Sequence, residues 1–327
     1  MKYYQVMRWG QRVSVAVLLA LLLVGVSLAV LVWNAAAGAK GKGPGCGGDL
    51  LDGTEQNGDL ILLLNSGGGS WESGGPTISK NLQIEGGWKL KTGEICSSNQ
   101  TYTDTSKFEF IGPLTRSVAS ESDDGPVITI APSVLTLTIK HVIFDQQGAV
   151  LKGGGINGVI SNGATILLEN LAFVDGGGTA DNGAGLYLEV RGNSHLVLSG
   201  TQFLTNTAQE TGGGFEIHVF DGSQVTFYNP EVRGNRSLNG NGGGGRIVIH
   251  RGTVSIIGGT FSNNFANQGR GGGLAVEATG GGPAVLILQN PTFSGNTASF
   301  SNPDLFTSGP LAVLDKTTFL PIVRKNS

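Results

Sequence analysis

A nine-residue strand-like run written six times constrains this chain more than any other feature of it. The copies close at residues 144, 173, 203, 232, 261 and 293, giving spacings of 29, 30, 29, 29 and 32 residues. Five of the closing residues are phenylalanine (Phe144, Phe173, Phe203, Phe261 and Phe293) and the remaining one is Val232. A period this steady marks a stacked-repeat architecture, in which each unit buries its apolar face against the next.

Inside each copy the apolar residues alternate. Leu137, Ile166, Leu196, Val225, Val254 and Leu286 stand seven before the closing residue, and Ile139, Leu168, Leu198, Phe227, Ile256 and Leu288 stand five before it. Alternation rich in β-branched residues reads as a strand with one buried face. Three before the close, Asn170, Gly200, Asn229, Gly258 and Asn290 suit the left-handed backbone of a bend, whereas His141 in the first copy departs from the pattern. Three after the close come Asn206, Asn235, Asn264 and Asn296. A glycine cluster and a second apolar run follow, with clusters ending at Ile156, Leu186, Phe215, Arg246 and Leu274.

Twenty-nine residues are too few for a four-stranded propeller blade, and no helical period accompanies them. They suit one coil of three short strands and three bends, with coils stacked about 4.8 Å apart. Equivalent side chains then lie above one another, so the five phenylalanines form an internal stack and the four asparagines a ladder of side-chain amides. The fold class expected is all-β, a single-stranded parallel β-helix of about six regular coils of about 29 residues, preceded by an N-terminal hydrophobic helix.

The pairing of F-x-x-N with G-G-[GA]-[ILF] resembles the repeat of the chlamydial polymorphic outer-membrane proteins and related bacterial surface proteins. The resemblance spans residues 136–298. It implies a right-handed, pectin-lyase-like β-helix; the handedness comes from the resemblance and not from the spacing. That fold carries both enzymes and inert stalks, so it leaves function open.

Residues 1–12 carry Lys2, Arg8 and Arg12 and no acid, and residues 13–32 carry no charge. Small residues at 35–39 suit signal peptidase. Twenty apolar residues rising about 1.5 Å each would also span a bilayer. Two readings therefore stand, a cleaved signal peptide or an uncleaved anchor through residues 13–32, and both place the remainder outside the cytoplasm, extracellular or at the cell surface. The chain divides into this segment (1–39), a flexible spacer (40–48), an N-terminal cap with irregular first coils (49–125), the regular coils (126–298) and a C-terminal cap (299–327). Cys46 and Cys96, the two cysteines of an exported chain, are expected to form one disulfide. Only 21 lysines and arginines occur, with no basic stripe, which argues against a nucleic-acid partner.

Chemistry is sought on the outward positions after the glycine clusters. With Leu186, Phe215, Ile247 and Leu274 taken as inward, the next outward row holds Tyr187, Glu216 and Ala275, with Arg246 just before Ile247. Two residues on come Glu189, His218, Val248 and Glu277, and His250 follows near the edge. Tyr187, Glu189, Glu216, His218, Arg246, His250 and Glu277 thus form the densest titratable face, a candidate glycan-binding surface. Paired carboxylates there would suit glycoside hydrolysis. The plainer reading is a solvated strand face with cross-strand ion pairs such as Glu216 with Arg246. His141, His195, His218 and His250 show no metal-ligand spacing, and no phosphate-binding loop or nucleophile elbow occurs, so neither metal nor cofactor is expected. The function expected is a non-enzymatic surface module for adhesion, display or matrix and glycan interaction. The alternative is a polysaccharide lyase or glycoside hydrolase using Glu189, Glu216, His218 and Glu277.

Overall fold

In the computed structural model the apolar alternation becomes strands with one face turned inward. In Thr165–Glu169, for example, Ile166 and Leu168 are fully buried while their neighbours are not. The structure describes residues 39–42, 56–64, 77–90, 101–102, 108–110, 116–119, 126–145, 153–177 and 181–315. The hydrophobic N-terminal segment, both cysteines and residues 316–327 lie outside the described residues.

One coil runs through Leu186–Val190, His195–Ser199, Gln202–Leu204 and Thr207–Ala208 before Phe215–Val219 returns beside Leu186–Val190 in parallel. Repetition of that path gives, among the described residues, sheets of twelve, eight, seven and four strands. The pairing is parallel throughout except where Thr101–Tyr102 and Phe108–Phe110 join the N-terminal end of the twelve-stranded sheet antiparallel. The result is an all-β solenoid of the right-handed type, with about 6 turns of ~29 residues.

Several sequence expectations are corrected. Each of four coils makes a further two-residue strand after its asparagine: Thr207–Ala208, Arg236–Ser237, Phe265–Ala266 and Thr297–Ala298. Small residues occupy this step: Ala208, Ser237 and Ala266 are fully buried. His141 does not break the bend: its φ of 55° matches Asn170 at 51°, Gly200 at 58° and Asn229 at 46°. Coil geometry imposes the left-handed turn, and histidine is among the residues that tolerate it. Nor do the coils stop at Ala298. Leu305–Ser308 and Leu311–Asp315 pair in register with the preceding coil, and Asn302, at φ 55°, replaces the first glycine of the missing cluster. At the other end Ala39–Lys42, read from sequence as the border of a spacer, pairs as a strand with Leu60–Leu64.

The aromatic stack forms in two pieces. Phe144, Phe173 and Phe203 lie nearly parallel with ring centroids 4.9 and 5.0 Å apart, and Phe261 and Phe293 stack at 4.9 Å. Val232 interrupts the column, and there Phe215 packs with tilted rings against Phe203 and Phe227.

The asparagine ladder is continuous. The side-chain amide of Asn206 donates to Oδ1 of Asn235 at 2.9 Å, Asn235 donates to Asn264 at 3.0 Å, and Asn264 to Asn296 at 3.0 Å. Each also donates to a carbonyl one coil below, Asn235 to that of Phe203 at 2.8 Å. Oδ1 of Asn235, Asn264 and Asn296 each accepts a second bond, from the backbone N–H of the asparagine one coil before it. The glycine clusters are the other half of this contact. A Cβ on Gly244 would lie 2.3 Å from the carbonyl oxygen of Gly273, 2.8 Å from Val232 Cγ1 and 3.0 Å from Asn264 Cγ.

Replacing Asn235 by alanine strips the Phe203 carbonyl, the Asn206 backbone N–H and one Asn206 side-chain N–H of this partner, at about 1–3 kcal/mol for each group left unsatisfied. Asn235→Ala is therefore expected to lower the unfolding free energy by about 3 kcal/mol in urea titration, whereas a substitution of exposed Gln224 in a neighbouring strand should change it little.

Candidate functional site

The eight-stranded sheet presents the candidate face through Leu186–Val190, Phe215–Val219, Gly245–Ile249 and Leu274–Ala278. Because alternate residues face opposite sides of a strand, burying Leu188, Ile217, Ile247 and Val276 in one inward row turns their neighbours outward. The first outward row is Tyr187, Glu216, Arg246 and Ala275, and the second is Glu189, His218, Val248 and Glu277.

Arg246 is thus level with Glu216, and Ile247 is one inward row further on than the sequence suggested. Gly245 occupies the inward slot shared by Leu186, Phe215 and Leu274. The slot must be empty of side chain because the ring of Phe215 fills it: a Cβ on Gly245 would lie 2.3 Å from Phe215 Cζ. A third row, of which only His250 was anticipated, begins the turn that leaves the sheet. It consists of Arg191, Phe220, His250 and Thr279. The Arg191 guanidinium sits 4.6 Å from the Phe220 centroid, Phe220 stacks on His250 at 4.0 Å, and Thr279 Oγ1 lies 2.8 Å from His250 Nδ1.

Glu216 is the hub. Its carboxylate is only 2 % exposed, yet it accepts hydrogen bonds from Arg246 Nη1 at 3.0 Å and from the Thr211 hydroxyl, and meets His218 Nε2 at 2.7 Å. Arg246 reaches onward to Glu277 in a two-pronged pair, Nε to Oε1 at 3.1 Å and Nη2 to Oε2 at 2.8 Å. Asn241 donates to the same Glu277 carboxylate at 2.9 Å. Glu189 pairs with Arg191. Tyr187 tilts against His218 with centroids 5.6 Å apart.

The electrostatics follow from these contacts. Burial by itself would raise the Glu216 pKa, but the hydrogen bond from His218, the Arg246 charge and the Thr211 hydroxyl outweigh it and hold the carboxyl below its usual range. Glu277 behaves alike: burial raises it, while Arg246 and Asn241 lower it further. Burial pulls Arg246 down, and the bond to Glu277 with the charges of both carboxylates more than restores it. Burial, then the charges of Glu216 and Glu189, pushes the Tyr187 phenol up to about 12. Burial, then His218 and Arg191, holds His250 below the ordinary imidazole range.

All seven residues singled out from the sequence share this face. Thr211, Phe220, Asn241, Thr279 and Arg191 complete it. Thr211 and Asn241 each stand immediately before a glycine cluster, and Arg191, Phe220 and Thr279 immediately after a strand, so their phase was legible although no one residue type recurs there. His141 and His195 sit elsewhere, in the bend and the twelve-stranded sheet. Among the described residues no group of three or more His, Cys, Asp or Glu could hold a metal ion, and no helix is long and apolar enough to cross a membrane. Comparison with protein-family models, with curated proteins and with solved structures gives no match.

Removing Arg246 leaves Glu216 as a buried charge short of its cation, a loss that typically costs about 3–5 kcal/mol. Arg246→Met should accordingly destabilise the fold by about 3 kcal/mol in urea. Acid titration provides a second check. Glu216 and Glu277 have folded pKa values below the unfolded 4.5, so their contribution is present above pH 4.5 and disappears as pH falls through the folded values. The unfolding free energy should therefore fall more steeply below pH 4.5 in the wild type than in Glu216→Gln/Glu277→Gln, as measured by urea midpoints across a pH series.

Proposed function

We propose that this chain is an exported bacterial surface module, a pectin-lyase-like right-handed β-helix that captures a glycan or matrix component without turning it over. The observation that carries the reading is the pairing of every carboxylate on the face: Glu189 with Arg191, Glu216 with Arg246, and Glu277 with Arg246. A glycosidase acid needs a carboxyl whose pKa is raised so that it holds a proton at working pH, and Glu216 and Glu277 are shifted the opposite way. What such a face offers instead is fixed recognition. Tyr187 and His218 present aromatic surface against which the apolar faces of sugar rings can pack, beside guanidinium and amide donors held in register by the strands. Residues 13–32, whether a cleaved signal or a retained anchor, would carry the module out of the cytoplasm.

A glycan-array screen and a polysaccharide-degradation screen on the full-length chain, run beside Glu216→Gln/Glu277→Gln, test this reading. Binding without product is expected. Products formed by the wild type and not by the double variant would replace it with the lyase or hydrolase alternative. Neither binding nor product would remove the glycan from the reading.

A further inference from the structure

We propose that His218 and His250 act as a single-proton unit, in which uptake of one proton as the pH falls turns the Thr279 hydroxyl on the face from an outward acceptor into an outward donor. The two residues are 32 apart in the sequence, and the coil stacking brings their rings together. His218 Nδ1 and His250 Nε2 are 3.5 Å apart while the ring centroids are 5.8 Å apart, so the two nitrogens point straight at each other. At that separation there is room between them for one hydrogen, in a long bond, and not for two.

The direction of donation follows from counting hydrogens. Glu216 Oε1 lies 2.7 Å from His218 Nε2. The Glu216 carboxyl is held ionised and can only accept, so Nε2 carries the hydrogen and Nδ1 of the neutral ring is bare. The hydrogen between the rings then belongs to His250 Nε2, which leaves His250 Nδ1 bare in its turn. Thr279 Oγ1 lies 2.8 Å from that nitrogen, so its hydroxyl donates inward and shows its lone pairs to solvent. Thr279, His250, His218 and Glu216 are thus joined in one line of donation that ends on the buried carboxylate.

An added proton has one entrance. His250 Nδ1 is the lone pair covered only by a rotatable hydroxyl, and once it is protonated Thr279 Oγ1 accepts and turns its own hydrogen outward. The charge can pass to His218 by a shift of the hydrogen between the rings, but a second proton would set N–H against N–H across 3.5 Å. Around the unit stand Glu216, Arg246 and Glu277, with Tyr187 tilted on His218, and Glu189 and Arg191 across Phe220 from His250. Arg251, next in the chain, lies along Gly282. Burial, the partner ring and Arg191 delay the proton to below the ordinary imidazole range, against the pull of Glu189. Within the paired network Glu189, Glu216 and Glu277 stand against Arg191 and Arg246, so the proton cancels a single excess negative charge. A ligand acceptor placed at Thr279 therefore meets a lone pair at neutral pH and a donor once the proton has arrived. The unit rests on the geometry of the face and not on the glycan reading, and its test is independent of it.

The experiment is nuclear magnetic resonance of the full-length chain with isotope-labelled histidine ring nitrogens, followed from about pH 8 to about pH 4.5. His218→Gln and His250→Gln assign the signals, and His195 on the twelve-stranded sheet serves as the independent ring. At neutral pH both rings of the pair should show hydrogen on Nε2 and a bare Nδ1. Acidification should then load the pair with one proton in a single step that both rings report, and the His250 step should move to higher pH in His218→Gln. Thr279→Val should carry the His250 Nδ1 signal toward that of a lone pair without a donor. The wild-type spectra decide even where a variant misfolds, because two of the four histidine rings must share one step. Hydrogen on Nδ1 of either neutral ring, or two separate full steps within that range, would overturn the proposal.

Discussion

A buried primary amide has two donors and an acceptor to satisfy, and inside a solenoid the partners available to it belong to the coils above and below. That requirement underlies the whole structure. Asn206, Asn235 and Asn264 are completely buried, and each meets its needs by bonding to the next asparagine and to a carbonyl of the preceding coil. An amide out of step by one residue would lose these bonds at about 1–3 kcal/mol for each group, so the ladder fixes register from coil to coil. The glycine clusters make the approach possible, because a side chain at Gly244 would collide at once with the next coil, the closing valine and the asparagine. F-x-x-N and the glycine triplet are therefore two sides of one contact.

Fixed register is also what builds the outer face. Residues about 29 apart in sequence become neighbours across about 4.8 Å, and polar groups that would each be unremarkable on a lone strand become a connected network. Glu216 shows the effect most clearly. A carboxylate this deeply buried would ordinarily be neutral, and it stays charged because Thr211, His218 and Arg246 arrive from its own turn, its own strand and the next coil. The network is thus a product of the stacking, and it inherits the rigidity of the core beneath it.

Much of this was legible in the sequence because periodicity survives as a direct image of the structure. The phenylalanine stack, the asparagine ladder and the identity of the outward acids all follow from counting. Legibility failed where the backbone, not the side chain, carried the signal. Gly245 fills an inward slot with nothing, so counting to the first apolar residue misplaced Ile247 by a row. The two-residue steps at Ala208 and Ala266 leave almost no side-chain trace, and Asn302-Pro303-Asp304 does the work of a glycine cluster without resembling one. The row of Arg191, Phe220, His250 and Thr279 has four different residue types, and only their contacts reveal that they belong together.

The asparagine ladder has a direction. Each rung from Asn206 to Asn264 gives one N–H to the asparagine of the next coil and one to a carbonyl of the preceding coil, so the asparagine-to-asparagine bonds all run toward the C-terminal end. The last rung, Asn296, donates at 3.0 Å to Oδ1 of Asp304. At the opposite end the carbonyl oxygen of Asn206 receives the backbone N–H of Gly176 at 2.9 Å. The ladder thus ends on a carboxyl oxygen at one terminus and on a peptide N–H at the other.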